Sequence, residues 1–409
     1  MGKFLPCPLP CHPDNRRQDS DQSSQPTIKY PNSDHSTSSS NSSLSSQSSL
    51  PSVPSLTRHP HTLDHAGGGR RCLATLHGHS SFIFSIAAAG KYLFSGASNG
   101  EIRIWDTQSQ NYVVLDGRSA VKSIVILNDK LFTSHHDHKI RVWKIEDCSE
   151  TQMKFKLITT LPTVNDRCMK IFSPKNYVEI RRHKKCTWVH HVDTVSGLAL
   201  SKDGLFIYSV SWDRTMKVWR TRDFKCVESI QNAHDDAINA VVLSSYGLVF
   251  TGSADKLIKI WEIDDKNKHH LVGVLEKHKS AINALALSED GSVLYSGACD
   301  RSIIVWDGAA TGWAAAGALR GHKKGILCLA VVKDILCSGS ADKTVRIWRG
   351  SGNSYSCLAV FEGHKSPVKC LTASLDFAEK NSDDLGNSYL VYSGGLDFEI
   401  KVWQIWVNS

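Results

Sequence analysis

The stretch from Phe250 to Trp261, FTGSADKLIKIW, carries a hydroxyl at Thr251 and a carboxylate at Asp255, and His234 precedes it in AHDDAI. A hydroxyl, an imidazole and a carboxylate are the parts of a nucleophilic triad, in which the imidazole takes the hydroxyl proton and the acid orients the imidazole. The same parts suit a structural brace. A buried indole N–H needs an acceptor, and a hydroxyl can accept from Trp261 while donating to His234.

How often the set occurs separates the two readings. Trp105, Trp143, Trp219, Trp261, Trp306, Trp348 and Trp403 each follow a hydroxyl at one fixed offset: Ser95, Thr133, Ser209, Thr251, Ser296, Ser338 and Ser393. At a second fixed offset stand Asp137, Asp213, Asp255, Asp300, Asp342 and Asp397, with Asn99 in the first copy. His79, His191, His234, His278, His322 and His364 lie upstream; the second copy has LDGRSAV in that place. The period is about 40 residues, within the range of repeat architectures. Seven such sets are too many for one catalytic centre, so His234, Thr251, Asp255 and Trp261, like His322, Ser338, Asp342 and Trp348, read as braces, and no catalytic residue is assigned.

Around these anchors each copy divides into short apolar runs. In the fourth copy they are INAVVL, LVFTGS, LIKIWEI and HHLVGVL, separated by SSYG, ADK and DDKNK. Weak alternation in such runs suits strands covered on both faces. The expected fold is all-β, a seven-bladed β-propeller of four-stranded antiparallel blades. The last copy supplies three strands (PVKCLTA, YLVYSG, IKVWQIW), and RCLATLHGH at 71–79 supplies the fourth, so an N-terminal strand closes the ring on the last blade. In an up-and-down meander the histidine and the aspartate turn then fall at the same end of the blade.

HGH at 77–79, RGH at 320–322, EGH at 362–364 and Trp-Asp at 105–106 and 306–307 resemble the signatures of WD-repeat proteins. The resemblance covers about residues 71–405. Copies ending in Trp followed by Lys, Arg, Glu or Gln depart from the Trp-Asp pattern. SPKNYVEIRRHKK, AHDDAINAVV and the serine-rich arm are similar to the plant JINGUBANG-like WD-repeat proteins. The resemblance implies a non-enzymatic scaffold, monomeric as a propeller within larger complexes, that binds proteins or peptides on its loop-rich end and needs no cofactor.

Outside the repeats, residues 1–70 read as a disordered arm, more than half serine over 32–56, and 71–409 as the propeller. Residues 146–185 read as an insertion between the second and third repeats rather than a degenerate eighth blade, and 375–388 as a polar loop in the last.

The chain holds 48 Lys plus Arg against 40 Asp plus Glu, a net +8 that permits a nucleic-acid partner without implying one. Its 12 cysteines show neither a zinc spacing nor a disulfide framework, which places the protein in a reducing compartment, cytoplasm or nucleus. No run of 18 apolar residues signals a membrane span. SHHDHK at 134–139 invites a metal, but the turn position claims Asp137 and no cysteine accompanies it, so none is expected.

Recognition is then left to the face that bears the histidines and aspartate turns. Before the turn aspartates stand His136 and Trp212; Trp212 is an interface anchor or packs on the neighbouring loop. After the histidines come Phe82, an acidic arc at Asp235 and Asp236, and a basic arc at Lys323 and Lys365. Opposed arcs suit a protein of mixed charge better than a polyphosphate. EIRRHKK, with Arg181 and Arg182, is either an import or phosphate-contacting element or a solvated loop. A propeller hydrolase with its site in the central opening would need acids or a nucleophile beyond the repeated set, and nothing marks them; two further alternatives to the scaffold remain. One is a cullin-type ubiquitin-ligase receptor, for which Trp219-Arg220-Thr221-Arg222 and Trp105-Asp106-Thr107-Gln108 match the family's Trp-Asp-x-Arg only in part. The other, less favoured, is an RNA-binding propeller.

Overall fold

A computed structural model describes residues 53–57, 70–107, 112–147, 153–171, 177–181, 184–309, 312–351, 354–376 and 386–408. Each repeat folds into a four-stranded antiparallel sheet, and there are seven such sheets. Blade 1 comprises Ile83–Ala89, Tyr92–Ala97, Glu101–Asp106 and Tyr112–Asp116, in that order from the inside outward. First strands of neighbouring blades touch one another around the axis.

Burial explains why the sequence pattern changes from strand to strand. Second strands such as Val249–Ser253 and Ile335–Ser340 are buried at every residue, since a neighbouring blade covers each face. The outermost strand Tyr112–Asp116 alternates between exposed and half-buried residues, as a strand with one wet face must. Seven apolar clusters follow, each shared by two adjacent blades. The one that joins first and last blades holds Ile83, Leu93 and Trp105 against Cys370, Tyr392 and Ile400. Each fully buried aliphatic side chain of this kind contributes about 1.5–3 kcal/mol.

Ring closure follows the expected split. Blade 7 consists of Val368–Leu375, Gly386–Gly395, Ile400–Asn408 and, from the other end of the sequence, Arg70–Leu76. Cys72 lies opposite Trp403, and Arg71 Nε donates to Gln404 Oε1 at 2.9 Å. The last sheet thus gains its fourth strand without an outside partner.

Two expectations need correction. Within the stretch read as an insertion at 146–185, Met153–Leu161 is the outer strand of blade 2, which also contains Val121–Leu127, Lys130–His135 and Ile140–Asp147. What remains is the helix Val164–Ile171 and the hairpin Tyr177–Arg181 with Lys184–Thr187. Thr163 Oγ1 caps the helix at the Asp166 N–H, and Asp166 in turn accepts from the Cys226 N–H on the edge of blade 3. The second correction concerns the arm: Val53–Thr57 lies on the side of the propeller, with Val53 and Leu56 buried. Most of the loop at 375–388 and the rest of the arm lie outside the described residues.

Candidate functional site

In blade 4 the Trp261 indole donates to Thr251 Oγ1 at 2.9 Å, Thr251 Oγ1 meets His234 Nε2 at 2.8 Å, and His234 Nδ1 meets Asp255 Oδ2 at 2.8 Å. The indole is only a donor, so the hydroxyl accepts from it and spends its one hydrogen on Nε2; the ring proton then sits on Nδ1 and faces the carboxylate. His322, Ser338, Asp342 and Trp348 repeat the chain at 2.8, 2.8 and 2.9 Å. Blades 3, 5 and 7 do the same through His191, His278 and His364. Every hydroxyl in these chains is fully buried, so no substrate atom reaches a would-be nucleophile.

Electrostatics agree with a brace. Burial alone would raise the carboxyls of Asp300 and Asp397, but the hydrogen bond and charge of His278 and His364 outweigh it and hold both at about 2. Burial also lowers the imidazoles of His191 and His322 despite their carboxylate partners.

Two blades build the brace differently. In blade 2 the missing upstream histidine is replaced by His135, two residues along the same strand from Thr133: its Nε2 meets Thr133 Oγ1 at 2.8 Å and its Nδ1 donates to Ser119 O at 2.9 Å. Asp137 is released from that duty and pairs with Arg141 at 2.6 Å. In blade 1 Asn99 does not reach the histidine; Glu101 lies 3.4 Å from His79 Nδ1 and also binds Arg103. Burial pushes His79 and His135 down to about 4, and the cations Arg103 and Arg141 add to the shift. The SHHDHK run is therefore divided: His135 is in the brace, His136 Nδ1 meets Thr194 Oγ1 at 2.6 Å, and Asp137 holds Arg141.

The face outside the braces carries a band of rings across four blades. Phe398 and Phe82 are 40% and 44% exposed, and their centroids are 5.4 Å apart. Phe82 lies 6.5 Å from Phe84, and Lys122 Nζ sits 4.0 Å from the Phe84 centroid and 5.2 Å from that of Trp212. Trp212 and His136 finish the band, 6.4 Å apart in an edge-to-face contact. Trp212 is half-buried, so it packs on the neighbouring blade and still shows one side to solvent. Burial, then the Lys122 charge, lowers the His136 imidazole. A cation between two aromatic faces contributes about 0.5–2 kcal/mol and fixes their spacing. Phe82, His136 and Trp212 were legible as loop-tip residues; Phe84 and Lys122 were not, because they lie within first strands.

The charged rim differs from the expected opposed arcs. Asp235 and Asp236 are exposed on blade 4, and Lys279, Lys323 and Lys365 are exposed on blades 5, 6 and 7. The residue after each turn aspartate adds a second tier. His138, Arg214, Lys256, Arg301, Lys343 and Phe398 all take left-handed backbone with φ from 67° to 76°, which turns the chain sharply at the tip. Lys256 is exposed on blade 4 with the acidic arc and Arg214 on blade 3 beside it, so basic side chains run around most of the face. Arg181 belongs to the hairpin, and Arg182 lies outside the described residues.

A cavity of about 370 Å³ opens between blades 1 and 2, lined by Tyr92, Phe94, Ile145 and Met153 with Asn128 and Asp129 at its polar edge. It brings together no acid and base pair. Among the described residues no group of three His, Cys, Asp or Glu side chains is placed to hold a metal, and no helix is long and apolar enough to cross a membrane.

Comparison with known proteins agrees with this geometry. Jouberin of Mus musculus is 31% identical over 123 residues, and jouberin of Rattus norvegicus 30% over 123 residues. Each alignment covers 29% of this chain and only 12% of the relative, so the likeness extends to a small part of those proteins. The family profile described as WD domain, G-beta repeat, matches residues 70–106, 183–220, 224–262, 269–307, 315–349 and 355–404. The matched segments leave out the strands of blade 2, the copy in which His135 replaces the usual histidine. With more than half its residues matched and seven braced four-stranded blades, the chain belongs to the WD-repeat family.

Proposed function

We propose that this protein is a non-enzymatic scaffold that captures a protein or peptide partner on the face crossed by the aromatic band. The band carries the proposal: exposed Phe82 and Phe398, joined through Phe84 and Lys122 to half-buried Trp212, form the aromatic centre that interface hot spots use, and charged tips stand beside it. The excess of basic tips, Arg214, Lys256, Arg301 and Lys343, favours a partner with acidic residues around an apolar anchor. The serine-rich arm and the two quoted stretches support a place among the plant JINGUBANG-like proteins, in the cytoplasm or nucleus.

The test compares partners labelled or copurified by the wild type with those of a Phe82→Ala/Trp212→Ala double variant and of Asp235→Lys. The aromatic variant loses its principal partners at least tenfold, and Asp235→Lys shifts their relative yields; an unchanged set removes the proposed face. The basic tips also favour RNA as a second reading. RNA binding that falls steeply with salt and ignores the loss of Trp212 selects it. As to the ligase-receptor reading, Arg220 stands where its motif has an acid and is tied to Asp223 at 2.9 Å, so only copurified ligase adaptor would restore it.

A further inference from the structure

Val53–Thr57, VPSLT, is bound to the propeller as a ligand would be. Pro54 O accepts from the Ala318 N–H at 2.8 Å, and the Leu56 N–H donates to Ala318 O at 3.0 Å, so the segment runs parallel to the outer strand of blade 5, Gly312–Leu319. Leu56 O then accepts from the Tyr355 N–H at 3.2 Å on the outer strand of blade 6, Ser354–Phe361. Arg320 clamps both ends: its N–H donates to Thr57 Oγ1 at 2.9 Å, and its guanidinium to Val53 O at 3.0 Å. Pro54 has no N–H to satisfy and is exposed, as an added edge strand allows.

The two apolar side chains enter different seams. Val53 joins the cluster shared by blades 4 and 5, and Leu56 the cluster shared by blades 5 and 6. Gly317 makes room for Leu56. A Cβ at that position would lie 2.4 Å from Leu56 Cγ, and its nearest neighbours are all atoms of the Leu56 side chain. In blade 1 the matching position, opposite Ile104, is Val113, so the outer strand itself accepts a β-branched residue there. Blade 4 also has a glycine there, Gly273, but a Cβ on it would meet Ile260 of its own blade at 3.2 Å, whereas at Gly317 the nearest atoms are those of Leu56, which fills the room the glycine leaves.

We propose that the outer edge of blade 5 is a peptide-binding site, occupied by the chain's own Val53–Thr57 and open to extended peptides with the same features: two apolar anchors three residues apart, a proline after the first and a hydroxyl after the second. Backbone pairing with an exposed edge supplies affinity, and the two seams supply specificity. Only residues 58–69 separate the segment from the closing strand. A ligand tethered that closely competes at an effective concentration on the order of millimolar, so a partner peptide must displace it.

The experiment uses the full chain and a fluorescent peptide of residues 50–59, LPSVPSLTRH. Val53→Asp/Leu56→Asp removes the resident anchors and leaves the propeller strands untouched. This variant binds the peptide at least tenfold more tightly than the wild type does. Adding Gly317→Val abolishes the binding, with folding checked by circular dichroism; adding Arg320→Ala instead, which removes only the guanidinium clamp, weakens it severalfold and provides the same check should the valine disturb the blade. Failure of the double variant to bind, equal binding by the wild type, or binding indifferent to both groove variants overturns the proposal.

Discussion

At the scale of single residues, the recurring histidine, hydroxyl, acid and indole stabilise the fold because each satisfies another's buried polar group. A hydrogen bond of this kind contributes about 1 kcal/mol net, whereas a partner left alone costs roughly 1–3 kcal/mol. Thr251→Val keeps the shape but strands both the Trp261 N–H and His234 Nε2. Its melting temperature by calorimetry should fall by several degrees while partner capture persists; an unchanged melting temperature would show the chain of bonds to be dispensable. The offsets made these braces readable in the sequence. Substitutes were harder to find: His135 stands two residues from Thr133, on the same face of its strand, but nothing in the pattern marked it over His136, and in blade 1 it is Glu101 rather than Asn99 that comes nearest His79 Nδ1, at 3.4 Å.

At the scale of elements, the closing strand is the most exposed dependency. Arg70–Leu76 pairs only with Ile400–Asn408, and without it the Trp403 strand presents a bare edge to other chains. Deletion of residues 70–76 should convert a monodisperse species into aggregate on size exclusion; a soluble monomer with sharp unfolding would show that three strands suffice for blade 7. Strand order and closure were legible because each second and third strand carries fixed residues. Outer strands carry none, which is why Met153–Leu161 was taken for inserted chain although Met153, Phe155 and Leu157 alternate with Lys154 and Lys156 as a half-buried strand should. The docked VPSLT left no trace in composition, since its pairing depends on Ala318, Tyr355 and Gly317, far along the sequence.

For the whole molecule, the braces make stability depend on pH. His79 and His135 titrate near 4 in the fold against an ordinary 6.5, so between those values the unfolded chain binds more protons, and stability present above about pH 6.5 is lost as pH falls toward 4. Each costs the fold on the order of 2 kcal/mol at about pH 5 by that linkage. Asp300 and Asp397, held at about 2, contribute stability present above their ordinary 3.8 and lost only as pH falls through about 2. Melting temperature should therefore decline from neutral pH to about pH 4, and His135→Asn should flatten that decline; a flat wild-type profile over the range would contradict the buried neutral state. The split composition of blade 7 also bears on synthesis. Because residues 70–76 emerge from the ribosome early and their mates at 400–408 late, the first strand has no partner until nearly all of the propeller has been synthesised. The nascent chain thus spends most of translation with an adhesive border uncovered, and in the cell its yield should depend on chaperones that shield that border until the C-terminal strand arrives.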